Sequence, residues 1–254
     1  MSIFVEHDQW SRMGNRMFQY ALGYILSQEK NTVLYADGIP NFNIYSTRDG
    51  MTPKDPIYTK SHGNNYLKYN ELLNTERDIV INSYVQRAQY YIPYRDILKA
   101  ILDVKNEPYI NCDKLVVHIR ETDYTQINCF LGYEYYYNLI KESGYSDIII
   151  VTDNSKCDTV QRLLGDGCTL STCGYVDKFE HICDNRAMSD FMTLLKSENI
   201  ALSQSSFSWW AAFLGQHDTI IFPYTKQKSM WPLNPDKDDI NLYFDFGSSK
   251  KFIK

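Results

Sequence analysis

His118, Arg120, Glu121 and Asp123 follow directly on the apolar, β-branched run Leu115-Val116-Val117. A buried parallel strand that ends at a ligand site has this form: a continuous apolar stretch, then a polar cluster. In open α/β sheets the carboxyl ends of strands are where ligands bind. A guanidinium there is permanently charged and fork-shaped, and it suits a phosphate or a carboxylate. The same residues also suit a structural ion pair at a strand end. Both readings stand at this point.

A second polar cluster, Ser203-Gln204-Ser205-Ser206, separates the apolar stretch Ile200-Ala201-Leu202 from Phe207–Leu214. The pattern is strand, serine-rich turn, apolar helix. Serines at a helix start cap it, and the outward N–H groups attract anions, phosphate included. Plain capping is the other reading. Asp153 ends a strand-like run, Asp147–Thr152, and Asp190 stands near the start of a helix read over 189–196. Either carboxylate can accept hydrogen bonds from a ribose or a base edge, and Asp190 also fits an ordinary acid at a helix N-terminus. The one Asp-x-Asp sequence, Asp236-Lys237-Asp238, lies in a Pro/Asn-rich loop with no strand before it. A hard cation needs several converging oxygens, so no metal site is expected there.

These groups need elements to carry them. Ile3–Val5, 32–36, 78–84, 115–118, 147–153, 200–203 and 219–222 read as strands. Residues 16–30, 94–101, 133–143, 159–164, 189–196 and 207–214 read as helices, with Asp158 as the cap of the fourth. Strand and helix alternate, which is the pattern of parallel sheets. Residues 40–66 hold three prolines, two glycines and few aliphatics, and read as a long irregular segment. The stretch 103–113 reads as a linker. The fold class expected is therefore α/β with two Rossmann-like halves around a cleft: 1–105, 106–235, and a C-terminal tail over 236–254. Trp209 and Trp210 cannot share one side of a helix, and at least one is expected to fill the core.

Bulk properties exclude several functions. The chain has 254 residues, a formal net charge of -5 and no basic stripe, so nucleic acid is not an expected partner. Hydrophobic residues make up 44% and charged residues 22%, an ordinary balance for a globular protein. No run is long and apolar enough to span a membrane, and the N-terminus lacks the basic and apolar regions of a signal peptide. Cys112, Cys129, Cys157, Cys168, Cys173 and Cys183 form no CxxC pair or zinc spacing. Reduced thiols and a cytoplasmic location, in the cell or in a host cell, are expected. A Cys168–Cys173 disulfide is compatible with the spacing but not required by it.

Four segments in order resemble the α-1,2-fucosyltransferases of glycosyltransferase family 11, with weaker similarity to α-1,6- and protein O-fucosyltransferases. Ser11-Arg12-Met13-Gly14-Asn15-Arg16-Met17-Phe18-Gln19-Tyr20-Ala21 resembles the family's opening Arg-Leu-Gly-Asn-Gln-Met-Phe-Gln-Tyr-Ala. Tyr84-Val85-Gln86 is similar to its Gly-Tyr-Phe-Gln-Ser, and His118–Tyr124 to its His-Val-Arg-Arg-Gly-Asp-Tyr. Ser189-Asp190-Phe191 with Ser205–Leu214 resembles its closing Asp-Phe…Asn-Ser-Ser-Phe-Ser-Trp-Trp-Ala-Ala.

The resemblance implies a GT-B fold, two Rossmann-like domains facing a cleft, with the donor on the C-terminal half. It implies transfer of L-fucose from GDP-β-L-fucose to O2 of a galactose-type glycan, with inversion and without a metal or other cofactor. Arg120 would bind the pyrophosphate. A cation about 4 Å from a phosphate charge gains roughly 4 kcal/mol at an effective dielectric of about 20. Ser205 and Ser206 would add donors, Asp153 and Asp190 would address guanine or ribose, and Arg12 and Asn15 would lie near fucose and acceptor. His118, Asp123 or Glu121 could take the acceptor proton, or a dissociative transition state could need only electrostatic positioning.

Two departures stand out. Glu121 and Thr122 replace the family's second Arg and its Gly, and Gln204 replaces the Asn before the serine pair. A carboxylate facing the pyrophosphate would weaken the donor site by more than roughly 1 kcal/mol. Strand alternation puts Arg120 with His118 on one face and Glu121 on the other. Two further readings follow: the same scaffold with another GDP-sugar or linkage, or a non-catalytic nucleotide- or glycan-binding protein.

Overall fold

Strands buried on both faces read as continuous apolar runs, and the two central strands of the first sheet are such runs. Strand β1 (Ile3–Val5) and strand β4 (Ile79–Ile81) are wholly buried. The computed structural model describes residues 1–59, 69–104, 113–125, 130–171, 185–224, 241–247 and 249–253. Contacts divide the chain into two units, Met1–Val104 and Lys105–Lys254.

In the first unit β1 pairs in parallel with β2 (Leu34–Ala36) and with β4, and β3 (Ile57–Tyr58) lies beyond β4, giving the order β2-β1-β4-β3. Parallel neighbours need a crossover, and helix α1 (Met13–Glu29) supplies it. Its Met17, Phe18, Ala21, Leu22, Ile25 and Leu26 form one buried stripe at helical spacing. Gly23 lets α1 approach the sheet closely: a Cβ there would come within 2.5 Å of Val5 Cγ2. Short helices α2 (Tyr69–Asn74), α3 (Ala88–Tyr91) and α4 (Arg95–Ile101) complete the described part of the unit. The segment read as irregular over 40–66 contains β3, too short for its pattern to show in sequence. Residues 60–68 lie outside the described residues, as does most of the expected linker (105–112).

The second sheet is also all parallel. Its strands are β5 (Lys114–Ile119), β6 (Asp147–Thr152), β7 (Thr169–Leu170), β8 (Asn199–Ala201), β9 (Thr219–Tyr224) and β10 (Ser249–Ile253), in the order β10-β9-β8-β5-β6-β7. Counted from β5 as the first, this is the order 3-2-1-4-5-6 of doubly wound dinucleotide-binding sheets. The chain reverses its direction of travel across the sheet between β5 and β8. Leu115, Val117 and Ile119 pack with Tyr135, Tyr136 and Leu139 of helix α5 (Gly132–Ser143) and with Val160 and Leu163 of α6 (Asp158–Gly165). On the opposite face His118 stacks on Phe207 of α8 (Ser206–Leu214), and Phe207 meets Phe191 of α7 (Asn185–Lys196).

Three sequence expectations change. Helix α7 starts at Asn185, so Asp190 lies in its second turn rather than at its opening. Asp158 is the first residue of α6, and Cys157 occupies the cap position. Residues 236–254, read as a tail, contribute β10 to the sheet and bury Leu242 and Phe244. The alternation Leu242, Phe244, Phe246 has the period of a chain lying on an apolar surface. That surface is α8. Trp209 stacks on Phe213 with centroids 4.7 Å apart, meets Phe244 edge-on at 5.6 Å, and donates its indole N–H to the Leu242 carbonyl at 2.5 Å. Both Trp209 and Trp210 are fully buried.

Trp209→Phe retains most of the ring but withdraws the donor from a buried carbonyl, so a loss of about 1–3 kcal/mol is expected. Trp209→Ala also empties the site, with an expected loss of about 3–5 kcal/mol. Urea unfolding followed by circular dichroism measures both; midpoints equal to wild type would show that this segment does not anchor α8.

Candidate functional site

The point where a doubly wound sheet reverses is where its strand ends splay and leave a crevice. Here that point lies between β5 and β8. The loop after β5 carries Arg120 to Tyr124, and the loop after β8 carries Leu202 to Ser205. Two hydrogen bonds tie the loops together. His118 Nδ1 and Ser203 Oγ are 2.7 Å apart, and the Tyr124 hydroxyl donates to the Gln204 carbonyl at 3.2 Å.

Register explains how Arg120 is held. His118 pairs with Val151 and Ile119 with Thr152, so the next residues, Arg120 and Asp153, come level with each other. Arg120 Nε lies 3.0 Å from Asp153 Oδ2. Its Nε and Nη2 lie 3.0 and 2.9 Å from Asp123 Oδ1, and the guanidinium carbon is 5.6 Å from the Tyr124 ring centroid. Nη1 takes part in none of these contacts. The Arg120 side chain is 14% exposed, against 18% for Asp153 and 39% for Asp123. Asp153 also accepts the Glu121 backbone N–H at 3.3 Å and the Thr122 hydroxyl. Both of its oxygens therefore serve the strand end itself. Asp123, the more exposed partner, is the one with room to turn toward solvent.

Glu121 is buried, with its side chain on the α5–α6 face. It takes a hydrogen bond from the Cys157 thiol and lies within electrostatic range of the Tyr136 hydroxyl. Its Oε1 has no hydrogen-bond partner among the described residues. Burial, together with the bond to Glu121, pushes the Cys157 thiol up to about 11, so this cysteine is an unreactive thiol at neutral pH.

His118 is 3% exposed. Burial, reinforced by the Arg120 charge, pulls its pKa down to about 3, with Asp153 opposing. It is a neutral interior ring, with no exposed face toward solvent. Ser205 caps α8: its Oγ accepts from the Phe207 N–H at 3.3 Å. Ser206 is the first residue of that helix, half-buried. Asp190 lies on α7 with its carboxylate 4.0 Å from Arg186 Nε, one turn before it. The structure thus brings Arg120, Asp123, Asp153, His118 and Ser203 together at the strand ends, with Ser205 and Ser206 at the adjoining start of α8.

Arg12 and Asn15 belong to the first unit. Arg12 is the exposed N-cap residue of α1, and Asn15 Oδ1 accepts from Gln86 Nε2 at 3.0 Å. Ser203 and Tyr124 are the residues that sequence reasoning missed. Their signal was position alone, Ser203 two residues past β8 and Tyr124 five past β5. No three His, Cys, Asp or Glu side chains group as a metal site among the described residues. Asp236 and Asp238 lie outside the described residues, as do Cys112, Cys129, Cys173 and Cys183. Cys168 is a free thiol. No described helix is long and apolar enough to cross a membrane.

The model of glycosyl transferase family 11 matches residues 170–238, which bears out over that segment the family resemblance carried by the motifs. No curated protein matches the chain. Among solved structures, fucosyltransferase NodZ from Bradyrhizobium aligns over 86% of this chain and 94% of its own, at 10% identity and a TM-score of 0.48. A NodZ α-1,6-fucosyltransferase co-crystallised with GDP aligns over 86% and 93%, again at 10% identity and 0.48.

His118 gives the site a signature in stability. Its folded pKa, about 3, lies below the unfolded value near 6.5. Below pH 6.5 the unfolded chain binds a proton that the native state refuses, so stability falls with acidification through the window between these values. His7, held near 4 chiefly by burial, acts in the same sense. His118→Asn should remove about 1.4 kcal/mol per pH unit of this slope near pH 5. Urea midpoints of wild type and variant at pH 7, 6 and 5 measure it, and parallel pH profiles would refute the neutral, buried imidazole.

Proposed function

We propose that the chain is a fucosyltransferase that moves L-fucose from GDP-β-L-fucose to O2 of a galactose-type glycan, with inversion and without a metal. The single observation that carries this reading is Arg120 at the reversal point of a 3-2-1-4-5-6 parallel sheet, beside the serine-capped start of α8. The ordered motifs and the family match over 170–238 support it. The finer architecture, a GT-B pair of Rossmann-like domains across a cleft, belongs to the same proposal, as does a cytoplasmic setting.

The chemistry then runs as a displacement. The acceptor oxygen forms a bond to the fucose anomeric carbon, the carbon–phosphate oxygen bond breaks, and GDP departs with the electron pair. Arg120 neutralises the charge that builds on the leaving phosphate, the task a metal performs in other transferases. Asp153 acts as a positioning residue, because its oxygens hold Arg120, Thr122 and the Glu121 amide. His118 supports the loop through Ser203, and its burial suits that role better than proton transfer to a bound acceptor. Asp123 has the exposure to accept a proton from an acceptor hydroxyl. Ser205, Ser206 and Asp190 are the proposed partners of the nucleotide, and Arg12 and Asn15 those of the fucose and acceptor.

A non-catalytic nucleotide- or glycan-binding protein is the second reading. The observation in its favour is that Arg120 already faces two carboxylates, Asp123 and Asp153, which compete with an incoming pyrophosphate for its charge.

Incubation with GDP-fucose and a galactoside panel, with and without EDTA, tests the assignment through GDP release and product linkage. Transfer that persists in EDTA is expected; GDP binding without turnover on any acceptor would favour the second reading, and turnover with another GDP-sugar would move the donor assignment. Arg120→Ala should lower transfer by at least about 100-fold while far-UV circular dichroism is unchanged. Near-normal rates in that variant would remove Arg120 from the site. Asp123→Asn should tighten GDP binding by roughly 3–10-fold in calorimetry, because it removes the competing charge; weaker binding would mean that Asp123 supports the nucleotide. Glu121→Arg should lower the melting temperature without improving GDP affinity, since position 121 faces the α5–α6 core.

A further inference from the structure

The charges at the end of β5 do not balance. Arg120 supplies one cation, and Asp123 and Asp153 set two carboxylates against it. A sugar-linked diphosphate is ionised on both phosphates, and a cluster of net negative charge repels it. The residue after Arg120 does not correct this, because Glu121 is an acid turned toward Cys157 and the α5–α6 face. A diphosphate site at this strand end therefore needs a second cation.

Arg186, the second residue of α7, reaches that strand end. Its Nη2 donates to the Thr152 carbonyl at 3.5 Å, and its Nε lies 4.0 Å from Asp190 Oδ2. Thr152 is the last residue of β6, and the next residue, Asp153, holds Arg120 Nε at 3.0 Å. Two guanidiniums are thus anchored on consecutive residues of one strand end. They also lie on the same side of the sheet. Arg120 follows the alternation of His118, His118 stacks on Phe207, and Phe207 meets Phe191 of α7. The two differ in how far they are committed. Arg120 is 14% exposed and shared between two acids; Arg186 is 59% exposed, its single acid is at the limit of ion-pair distance, and its Nη1 takes part in neither contact.

Helix stability does not account for Arg186. The first turn of a helix is the positive end of its dipole, where acids are favoured and cations are not. The pair with Asp190 also runs in the weaker order, base before acid at i and i+4. A planar fork of N–H donors at a strand end is instead what phosphate oxygens take.

We infer that Arg186 is the second cation of a diphosphate site, set beside Arg120 at the ends of β5 and β6 so that the pair neutralises both phosphates. This deepens the transfer reading, and it rests on that reading only for taking the diphosphate to be that of a sugar donor.

Calorimetric binding of GDP and guanosine to the full chain, at low and at high salt, tests the inference. Arg186→Gln should weaken GDP by about five- to ten-fold at low salt, with a smaller loss at high salt. Guanosine affinity and melting temperature should be unchanged, because the side chain is exposed and the nucleoside carries no phosphate. Lys156→Gln, an exposed lysine on the loop after β6, is the control and should leave GDP affinity within about two-fold of wild type. GDP affinity equal to wild type in Arg186→Gln overturns the inference while leaving the transfer reading in place. An equal loss for guanosine overturns it as well, since Arg186 would then act on the nucleoside. An equal loss in Lys156→Gln overturns it by showing a general field instead of a contact. Absence of GDP binding to the wild type overturns both readings. GDP binding that depends on Arg186, in a protein that transfers no fucose, leaves the second cation standing while the transfer reading falls.

Discussion

A guanidinium withdrawn from water at the end of a buried strand must find carboxylates, and the second unit is arranged around that requirement. Arg120 is 14% exposed, and a buried charge without partners would cost several kcal/mol. The parallel register of β5 and β6 brings Asp153 level with it, and the turn after β5 brings Asp123 round to the same nitrogens. Asp153 then has oxygen lone pairs left over, and it uses them on the Glu121 amide and the Thr122 hydroxyl. The loop's backbone is therefore held in place by the same carboxylate that orients the charge. The proposed anion site would need its cation preorganised, and these contacts hold Arg120 in one place.

Alternation along one strand sorts the remaining chemistry. Residues on the His118 side meet α8 and the serine-rich loop, and residues on the Glu121 side meet α5 and α6. His118 becomes a neutral ring packed on Phe207 and bonded to Ser203, which couples the two loops at the reversal point. Glu121 is directed toward Cys157 and Tyr136 instead of toward the Arg120 guanidinium. The residue that departs most from the family 11 pattern thus lies on the opposite face from the cation. One of its oxygens has no hydrogen-bond partner among the described residues, an arrangement that ordinarily costs about 1–3 kcal/mol.

The first unit repeats the logic with different groups. Strands β1 and β4 are neighbours, and a hydrogen bond joins the loops that follow them, from Tyr84 to Asp8, as one between His118 and Ser203 links β5 to the loop after β8. The second unit gathers a cation there, while the first gathers hydroxyls and amides.

Local pattern was enough to reveal the alternation of strands and helices, the apolar stripe of α1, and the strand-end position of Arg120. These follow from nearest-neighbour rules: period, burial and turn chemistry act over a few residues. The alternation also put His118 and Glu121 on opposite faces. The short strands β3 and β7 have too few residues for any period to show. Strand β10 and the Leu242–Phe246 segment were read as a tail because their partners, β9 and α8, lie far back along the chain. The start of α7 at Asn185, and with it the place of Asp190, was missed because the early residues of that helix carry little apolar pattern. What the sequence by itself determined was which groups stand at strand ends and what ligand chemistry they suit. Which of them share a crevice was decided only by the order of strands in each sheet. That order depends on long-range pairing between segments dozens of residues apart, and no local preference encodes it.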